Sequence, residues 1–540
     1  MITVTSETQR NSVSENSPRL SFQLMICAEP PELVIATIES LIRTKSADDE
    51  ILIIDNNNTK KECYEPLAKF CQSLEPALKV RFYHVDFIKG YKAGALNLAL
   101  DLMDASCSHI VVVDSDYQAL PQARAKIAKA IEQYPKHALL QFPQFYRDEG
   151  MIEVHGELNH YFNHHIFRRF NQERVLSTGT FAVLRRDALE RLGGWSGASI
   201  TEDAQLGVLM HKQGLQSRFI PEVIATGLLP LTLSDLIKQR QRWIYGNMQV
   251  LKQVLGRYFS IQSASHVVAQ KSRLNWKDLR AHSSQLSAWV NFTGIFIIFQ
   301  LMMVAVMAVV LASNMTVNVE RLLLPLFVIY GAYGIFLARR LFAYLSDKSP
   351  LAKPSQSSQE RSVPSTVQRL KVWALHLSFW ELGALSWLPV LWGRDKPFIC
   401  TPKQVVKHSK LAVVMNNIKA LPKLILGLNL VTAALVSPIS PLYSPVLFVA
   451  ALSICALKLW SAQVVLSNYS KAQSEATSSQ AAEINNSDYQ YHETSAHPVR
   501  FGYGYSRAHA QTMAANSEVF GNSETVDNPV MSKNGKAANF

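Results

Sequence analysis

Hydrophobic and polar positions follow a repeating strand and helix pattern over roughly the first half of this chain. Between residue 21 and about residue 250, short apolar runs alternate with stretches whose apolar residues recur at helical spacing. Runs of β-branched residues bounded by polar turns indicate buried strands, and strands that alternate with helices indicate a parallel sheet covered by crossover helices. The pattern predicts strands at 22–27, 50–55, 78–85 and 110–114, and helices at 31–44 and 93–103.

The second half of the chain contains much longer apolar runs. Residues 286–319 carry no charged side chain, and residues 322–338 form a second uncharged run that is followed by two arginines. Uncharged runs of this length are long enough to cross a bilayer as helices. Residues 424–436 and 446–457 flank a Pro-rich bend and predict a final pair of helices. We therefore expect an α/β domain followed by an α-helical transmembrane region.

A further apolar stretch, residues 371–392, contains charged residues and is a weaker candidate for a spanning helix. Its tryptophans Trp373, Trp380 and Trp387 recur every seven residues, which places them on one helical face. Tryptophan is favoured at the boundary between membrane and water. The pattern therefore favours a helix that lies in the interface, with a spanning helix as the alternative.

The distribution of charge predicts how these helices are oriented. The 540-residue chain has a net charge of +12, and between residues 339 and 423 Lys and Arg outnumber Asp and Glu by 14 to 4. Because this excess lies beside the apolar runs, we interpret it as positive-inside topology rather than as nucleic-acid binding. Residues 1–285, the 339–423 segment and the tail are then cytoplasmic, which requires an even number of spans.

These patterns divide the chain into segments. The polar N-terminus has no apolar signal-peptide core, and the six cysteines lack CxxC or metal-ligand spacing, which favours a reducing compartment. We expect a disordered N-terminus at 1–20, the α/β domain at 21–250, interfacial helices at 251–285, a transmembrane hairpin at 286–345, a cytoplasmic linker with the interfacial helix at 346–420, a second hairpin at 421–466 and a disordered tail at 467–540.

Acidic side chains close two of the predicted strands. Asp114-Ser115-Asp116 follows the strand at 110–114, and Asp55 ends the strand at 50–55. Ligands of open α/β sheets bind just beyond the carboxyl ends of the strands. Divalent cations that are shared with a diphosphate prefer carboxylate oxygens. The pattern thus indicates a metal and diphosphate site, and its alternative is a polar turn after a buried strand.

Two further motifs suggest transfer chemistry. Thr201-Glu202-Asp203 precedes a predicted helix, where acids often only cap the N-terminus, but a carboxylate there is also a candidate general base. Gln239, Arg240, Gln241, Arg242 and Trp243 follow one another directly. The two guanidiniums suit a departing diphosphate, and the indole offers an apolar face to a sugar ring. An amphipathic basic helix near the membrane is the alternative.

In this order, the motifs at 55, 114–116, 201–203 and 239–243 resemble those of processive family 2 glycosyltransferases, such as bacterial cellulose, curdlan and hyaluronan synthases. Residues 87–97 resemble their Lys-Ala-Gly-Ala-Leu-Asn segment. Residues 398–403 are similar to the gating loop of cellulose synthase, with a basic juxtamembrane linker as the alternative.

The resemblance implies a GT-A (Rossmann-like) catalytic domain, a UDP-sugar donor, inversion at the anomeric carbon, and Mg²⁺ or Mn²⁺ as cofactor. It assigns Asp203 as the catalytic base and Asp114 and Asp116 as metal ligands. The residues assigned to the donor are Asp55, Lys92, Asp114, Arg240 and Arg242. Those assigned to the acceptor are Glu202, Gln239 and Trp243. The gating residues are Phe398, Thr401 and Lys403.

We therefore expect a multi-pass enzyme of the bacterial inner membrane whose catalytic domain is cytoplasmic and which transfers sugar, chiefly glucose, to a growing β-glucan. The surroundings of Asp55 and residues 141–148 resemble synthases of β-1,3-linked or cyclic glucans more than cellulose synthases. Cellulose synthases carry helices before their catalytic domain that have no counterpart here, so export would require a partner subunit or self-association. The alternatives are a non-processive transferase acting on a lipid or short glycan, and a non-catalytic membrane scaffold or transporter.

Overall fold

The computed structural model describes residues 17–147, 152–167, 173–230, 232–259, 276–346, 365–393 and 410–483. The strands in these ranges are β1 (Leu20–Ile26), β2 (Glu50–Asn56), β3 (Val80–Val85), β4 (His109–Val113), β5 (Gln118–Ala119), β6 (His137–Gln141), β7 (Ala182–Arg185), β8 (Gln216–Phe219) and β9 (Ala225–Thr226).

The helices of the catalytic half are α1 (Pro31–Thr44), α2 (Lys61–Ser73), α3 (Tyr91–Leu102), α4 (Ala123–Gln133), α5 (Ile152–His160), α6 (Arg186–Leu192), α7 (Glu202–Lys212), α8 (Leu233–Phe259) and α9 (Trp276–Leu286). Those that follow are α10 (Thr293–Ala312), α11 (Val319–Leu345), α12 (Thr366–Ser378), α13 (Trp380–Leu385), α14 (Leu388–Leu391), α15 (Lys410–Ala420), α16 (Leu424–Leu435) and α17 (Pro445–Glu483).

One mixed sheet forms the framework of the α/β domain. Seven of the described strands pair in the order β3-β2-β1-β4-β7-β6-β8. β1 is parallel to both β2 and β4, so the chain leaves this centre in opposite directions and opens a crevice at the carboxyl ends of β1 and β4. β7 runs antiparallel to both β4 and β6. The predicted parallel sheet is therefore confirmed for the first four strands and is wrong at β7.

The elements near the crevice agree closely with the apolar pattern. α1 has the predicted bounds and begins with Pro31, whose fixed φ suits the first helical position. The strand predicted at 78–85 begins only at Val80, because Pro76–Leu78 forms a 3₁₀ turn. In β4, the adjacent residues Val111 and Val112, which point to opposite faces of the sheet, are 0% and 3% exposed, as expected for a central strand that is covered on both faces.

The second half contains apolar helices of membrane-spanning length. Among the described residues these are α10, α11 and the Pro445–Tyr469 part of α17. α16 has 12 residues and is too short to span alone. Together with α15 it forms a pair bent by 72°, which makes a fourth span if the pair is counted as one. The first predicted hairpin is thus seen as two long helices, α10 and α11. In the second predicted hairpin, the first arm is a bent pair of shorter helices, α15 and α16.

Buried polar contacts join these helices to one another. Gln300 donates a hydrogen bond to the Tyr330 hydroxyl at 2.8 Å, and that hydroxyl donates to Asn429 Oδ1 at 2.6 Å, which links α10, α11 and α16. Lys458 of α17 pairs with Glu381 of α13 at 2.8 Å. Polar contacts of this kind fix helix positions where apolar packing alone would allow sliding.

The tryptophan pattern in residues 371–392 has another cause than the one predicted. The stretch is divided among α12, α13 and α14, and Trp373 and Trp380 are 6% and 1% exposed. The Trp380 ring lies 5.4 Å from the Phe336 ring of α11. The assignment of these two rings to the membrane interface is therefore wrong, because they pack inside the protein.

Two predicted boundaries also shift. β1 begins at Leu20, inside the segment expected to be disordered, and α17 continues to Glu483, well beyond residue 467. Asn468 and Tyr469 are 3% and 0% exposed, so packing against the protein accounts for the first residues of this continuation. The predictions for residues 1–16 and 484–540 lie outside the described residues.

Candidate active site

A cavity of about 400 Å³ lies at the carboxyl ends of β1 and β4. Pockets of this size class accept nucleotide-sized ligands. Its polar wall comes from the loops after β1, β2 and β4 and from the N-terminal ends of α3, α7 and α8. These residues are Glu29, Asn56, Asn57, Tyr91, Lys92, Asp114, Ser115, Asp116, Gln144, Tyr146, Thr178, Thr201, Glu202, Asp203, Gln239, Arg242 and Trp243.

Lys92 and Asp114 form an ion pair on this wall. The Lys92 Nζ atom donates to Asp114 Oδ1 at 2.6 Å. Burial alone would lower the pKa of Lys92, but the negative charges of Asp114 and Glu202 outweigh it and the pKa is raised. Lys92 is therefore a fixed cation at the position where negative charge from a phosphate would be placed.

The rest of the Lys-Ala-Gly-Ala-Leu-Asn segment holds neighbouring loops. A Cβ atom at Gly94 would lie 2.2 Å from the Lys89 carbonyl oxygen, so this turn needs glycine. Asn97 donates to the Trp195 carbonyl at 2.9 Å and accepts from the Trp195 N–H at 2.8 Å. α3 thus connects Asp114 to the loop that leads to Thr201. Asn97 was not predicted as a site residue, although it belongs to the recognised segment.

Asp203 lies in the first turn of α7 and lines the cavity. Its Oδ1 atom accepts the Ala204 N–H at 2.8 Å, and a Cβ atom placed on Gly179 would approach its Oδ2 atom to 3.1 Å. Burial, and after it the charge of Glu202, raises the pKa of Asp203 to about 7. A carboxylate with this pKa is suited to take up a proton near neutral pH. These acids begin a helix and also face the cavity, so the role of Asp203 as a general base stays a prediction.

Asp114 and Asp116 fit a divalent cation that is bound together with a diphosphate. Both carboxylates line the cavity from a single turn after β4. Within the described ranges, no three His, Cys, Asp or Glu side chains lie close enough together to hold a metal ion. A Mg²⁺ or Mn²⁺ ion at this turn would therefore take its remaining ligands from phosphate oxygens and water, which is common for Mg²⁺.

Asp55 lies behind the cavity wall. Its side chain is 1% exposed, and its Oδ2 atom lies 2.6 Å from the His84 Nδ1 atom while Asn58 Nδ2 donates to both carboxylate oxygens at 3.2 Å. Burial raises the pKa of Asp55 to about 6, against the hydrogen bonds from His84 and Asn58. The wall at this point is formed by Asn56 and Asn57. The structure therefore places Asn56 and Asn57 on the cavity wall, and Asp55 does not reach the cavity as its predicted contact with the donor would require.

The Gln-Arg-Gln-Arg-Trp run lies on α8, and its side chains point from two different faces of this helix. Gln239, Arg242 and Trp243 line the cavity, as helical spacing of three and four residues allows. Arg240 points the other way, is 1% exposed and pairs with Glu157 at 3.0 Å. The predicted contact between Arg240 and the donor is a misassignment, because the spacing of the motif puts this side chain on the buried face.

A second, smaller cavity of about 60 Å³ adjoins the first at Asp203 and Trp243, which line both. Its other walls include Tyr161 and Trp289, whose rings stack with centroids 5.4 Å apart. Asp203 and Trp243 thus lie between the larger, polar cavity at the sheet edge and the smaller, aromatic cavity. The smaller cavity adjoins the chain segment that leads into α10. Phe398, Thr401 and Lys403 lie outside the described residues, so their gating role stays a prediction.

The fold and the cavity define the class of protein: a GT-A (Rossmann-like) α/β domain followed by apolar helices. Comparison with protein families extends this. Residues 24–193 match the model described as Glycosyl transferase family 2, and residues 109–336 match Glycosyl transferase family group 2. Neither model covers half of the 540-residue chain, but the two matches show that residues 24–336 are similar to family 2 glycosyltransferase domains, which supports the prediction of a transferase enzyme.

Curated relatives are similar over part of their length. Glucomannan 4-beta-mannosyltransferase 7 of Arabidopsis thaliana is 24% identical over 40% of this chain and 40% of its own. The poly-beta-1,6-N-acetyl-D-glucosamine synthase of Staphylococcus epidermidis is 23% identical over 42% of this chain and 54% of its own. A UDP-forming cellulose synthase of Dictyostelium discoideum is 25% identical over 35% of this chain and 17% of its own. The predicted resemblance to processive family 2 enzymes is confirmed, and the chain spans about half or less of these relatives' lengths.

Among solved structures, the mannosyltransferase PcManGT from Pyrobaculum calidifontis, in complex with GDP-Man and Mn²⁺, is similar to this chain. The likeness covers 51% of this chain and 71% of that one, with 17% identity and a TM-score of 0.37.

Proposed function

We propose that this protein is a membrane-embedded, inverting glycosyltransferase that moves a hexose, chiefly glucose, from a UDP-sugar to the end of a growing β-linked glycan. The position of Asp203 supports this most strongly. Its carboxyl group has a pKa of about 7 and lies where the larger cavity, lined by Lys92 and Asp114, meets the smaller cavity with its aromatic walls. By their names, the relatives above are a glucomannan mannosyltransferase, a poly-N-acetylglucosamine synthase and a cellulose synthase, which supports a sugar polymer as the product.

The donor is expected in the larger cavity. Lys92 and Arg242 supply positive charge for its diphosphate, and Asn56 offers an amide group on the same wall. A Mg²⁺ or Mn²⁺ ion held by Asp114 and Asp116 would neutralise diphosphate charge as the nucleotide leaves. Both kinds of cation favour the bond-breaking step because they act where negative charge grows.

The acceptor is expected to enter from the side of the smaller cavity. Trp243 provides a flat apolar face that suits a pyranose ring, and Asp203 lines the same cavity. Trp289 supports this wall, with its own ring stacked on Tyr161. Asp203 accepts the proton of the attacking hydroxyl while that oxygen bonds to the anomeric carbon, and the bond from this carbon to the diphosphate oxygen breaks. One displacement from the face opposite the leaving group inverts the anomeric configuration.

The apolar helices support a location in the membrane. α10, α11 and α17 have the required length, and the bent α15–α16 pair supplies a fourth span. With four spans, the basic stretch between α11 and α15 and the catalytic domain both lie on the cytoplasmic side of a bacterial inner membrane. Export of a long glycan would then depend on a partner subunit or on self-association.

Release of UDP tests the proposal. The protein, purified in membranes, is supplied with UDP-glucose, with other UDP-sugars and with a β-linked gluco-oligosaccharide acceptor, and UDP release and product length are measured. We expect acceptor-dependent UDP release and a ladder of products. Products with a single added sugar would instead support a non-processive transferase. No release from any donor, by protein with a normal melting temperature, would support a scaffold or transporter.

A further inference from the structure

A buried ion pair lies directly behind the cavity face of α8. Arg240 and Glu157 each have side chains that are 2% exposed, and Glu157 Oε2 accepts from Arg240 Nη2 at 3.0 Å and from Nε at 3.3 Å. Replacing such a pair by apolar side chains often costs no stability and sometimes adds it. The pair therefore needs an explanation other than stability.

Arg240 contacts two of the residues that line the donor cavity. Its Nη1 atom donates to Gln239 Oε1 at 3.2 Å. Its guanidinium carbon lies 4.4 Å from the centre of the Trp243 ring and 4.9 Å from that of Trp289, so the cation packs against both indoles, whose centres are 5.8 Å apart. Cation–π contacts are strongest where the cation is removed from water, as here.

Glu157 connects this cation to another part of the protein. Its second oxygen, Oε1, lies 3.6 Å from His376 Nδ1 on α12. α5 and α12 approach closely at this point, since a Cβ atom on Gly156 would lie 2.4 Å from a Val372 methyl carbon. The ion pair therefore fixes the cavity face of α8 relative to the helix that packs against α11 and α17.

We propose that Arg240 and Glu157 are positioning residues that hold Gln239, Trp243 and Trp289 in the geometry that receives the acceptor glycan. This rests on the proposed function. Only a guanidinium can bind a carboxylate, an amide oxygen and two aromatic faces at the same time, because its donors spread in a plane whose faces stay available for stacking. An apolar replacement would fill the same space and leave the two indoles without their shared cation.

The test compares a charge-free pair with a cation-retaining variant. Arg240→Met combined with Glu157→Leu removes both charges without leaving one of them buried alone, and Arg240→Lys keeps a cation but loses the planar fork. For the double variant we expect a normal melting temperature, an unchanged KM for UDP-glucose, and a KM for a β-linked gluco-oligosaccharide that is raised about tenfold. Arg240→Lys should recover part of this loss.

A second measurement does not depend on turnover. The protein is labelled with 5-fluorotryptophan, and the ¹⁹F signals of Trp243 and Trp289 are assigned by replacing each with Phe. Loss of the cation should shift both signals in the double variant and less in Arg240→Lys. If the double variant melts early, Arg240→Lys alone decides, through its acceptor KM and its ¹⁹F shifts.

The outcomes separate the two proposals. An unchanged acceptor KM together with unmoved ¹⁹F signals overturns the positioning role. Equal losses for donor and acceptor, with no recovery in Arg240→Lys, also overturn it, because they indicate a purely structural pair. If the wild-type protein releases no UDP but the ¹⁹F signals shift, the contact is supported and the proposed function fails.

Discussion

Two groups of acidic residues lie on opposite sides of the cavity wall. We call the acids that line the cavity the outer layer and the acids that are buried behind the wall the inner layer. Asp114, Asp116 and Asp203 line the cavity, where Asp114 pairs with Lys92, whereas Asp55 and Glu157 are buried behind the wall, each beside a basic partner. The outer layer is placed to meet a ligand, while the inner layer places the wall. The comparison teaches that an acidic residue type in a motif does not by itself reveal which of the two tasks it performs.

The largest expected effect comes from the outer layer at Asp116. Asp116→Asn replaces a charged metal ligand by a neutral one, so turnover should fall by about 10³-fold and the metal concentration needed for activity should rise. Asp187→Asn is the matched control, because Asp187 is an exposed acid in the first turn of α6. UDP release measured over a range of Mn²⁺ concentrations gives both quantities. An Asp116→Asn enzyme that responds to metal as the wild type does would remove Asp116 from the metal site.

Arg242 should show the next largest effect. Arg242→Ala removes a cation from the cavity wall, and we expect kcat/KM for the donor to fall by about 10²-fold. Arg242→Lys retains the charge and should recover part of the loss, since a lysine cannot bind two phosphate oxygens as a guanidinium does. Initial rates at varied UDP-glucose concentration measure this. A donor kcat/KM within twofold of wild type in Arg242→Ala would contradict the assignment.

Asp55 tests the inner layer directly. Asp55→Asn weakens its contact with His84 and acts on the donor only through Asn56 and Asn57, so the donor KM should rise by about tenfold with kcat nearly unchanged. The same rate measurements apply. A loss as large as that of Asp116→Asn, and confined to kcat, would show that Asp55 acts on the reacting groups, and the division into two layers would fail there.

The last prediction concerns pH and needs no substitution. Asp203 must be deprotonated to act as a base, and its pKa is about 7. Rates therefore rise with pH, reach half of their plateau near pH 7, and fall about tenfold per unit below it. The profile of kcat/KM for the acceptor between pH 5.5 and 8.5 checks the direction. A flat profile, or rates that rise as the pH falls, would exclude a base with this pKa.

The sequence predicted the outer layer better than the inner one. Asp114 and Asp116 follow a strongly apolar strand, so the strand end could be located from β-branched residues alone. Helical spacing could also have separated Arg240 from Arg242, but which face of α8 met the cavity depended on Glu157, a residue 83 positions away in the chain. Contacts at such separations are set by the fold and leave no local pattern.

The same reason explains the errors in the fold. β7 has only four residues and pairs antiparallel with strands that precede it by more than forty positions. The local alternation of strands and helices therefore does not predict this pairing. Trp373 and Trp380 have a spacing that is typical of one exposed or interfacial face, but aromatic partners on α11 bury Trp380. The first residues of α17 beyond residue 467 are held by the burial of Asn468 and Tyr469. In each case tertiary contacts decided between local alternatives.

The most direct test of the central claim is sugar transfer by Asp203→Asn. Acceptor-dependent UDP release and UDP binding are measured on the same membrane preparation, with Asp187→Asn as the control. We predict that transfer falls by about 10³-fold while the affinity for UDP stays within about threefold of wild type, because the lost carboxylate acts on the acceptor hydroxyl. Transfer above about a tenth of the wild-type rate would contradict the assignment of Asp203 as the base.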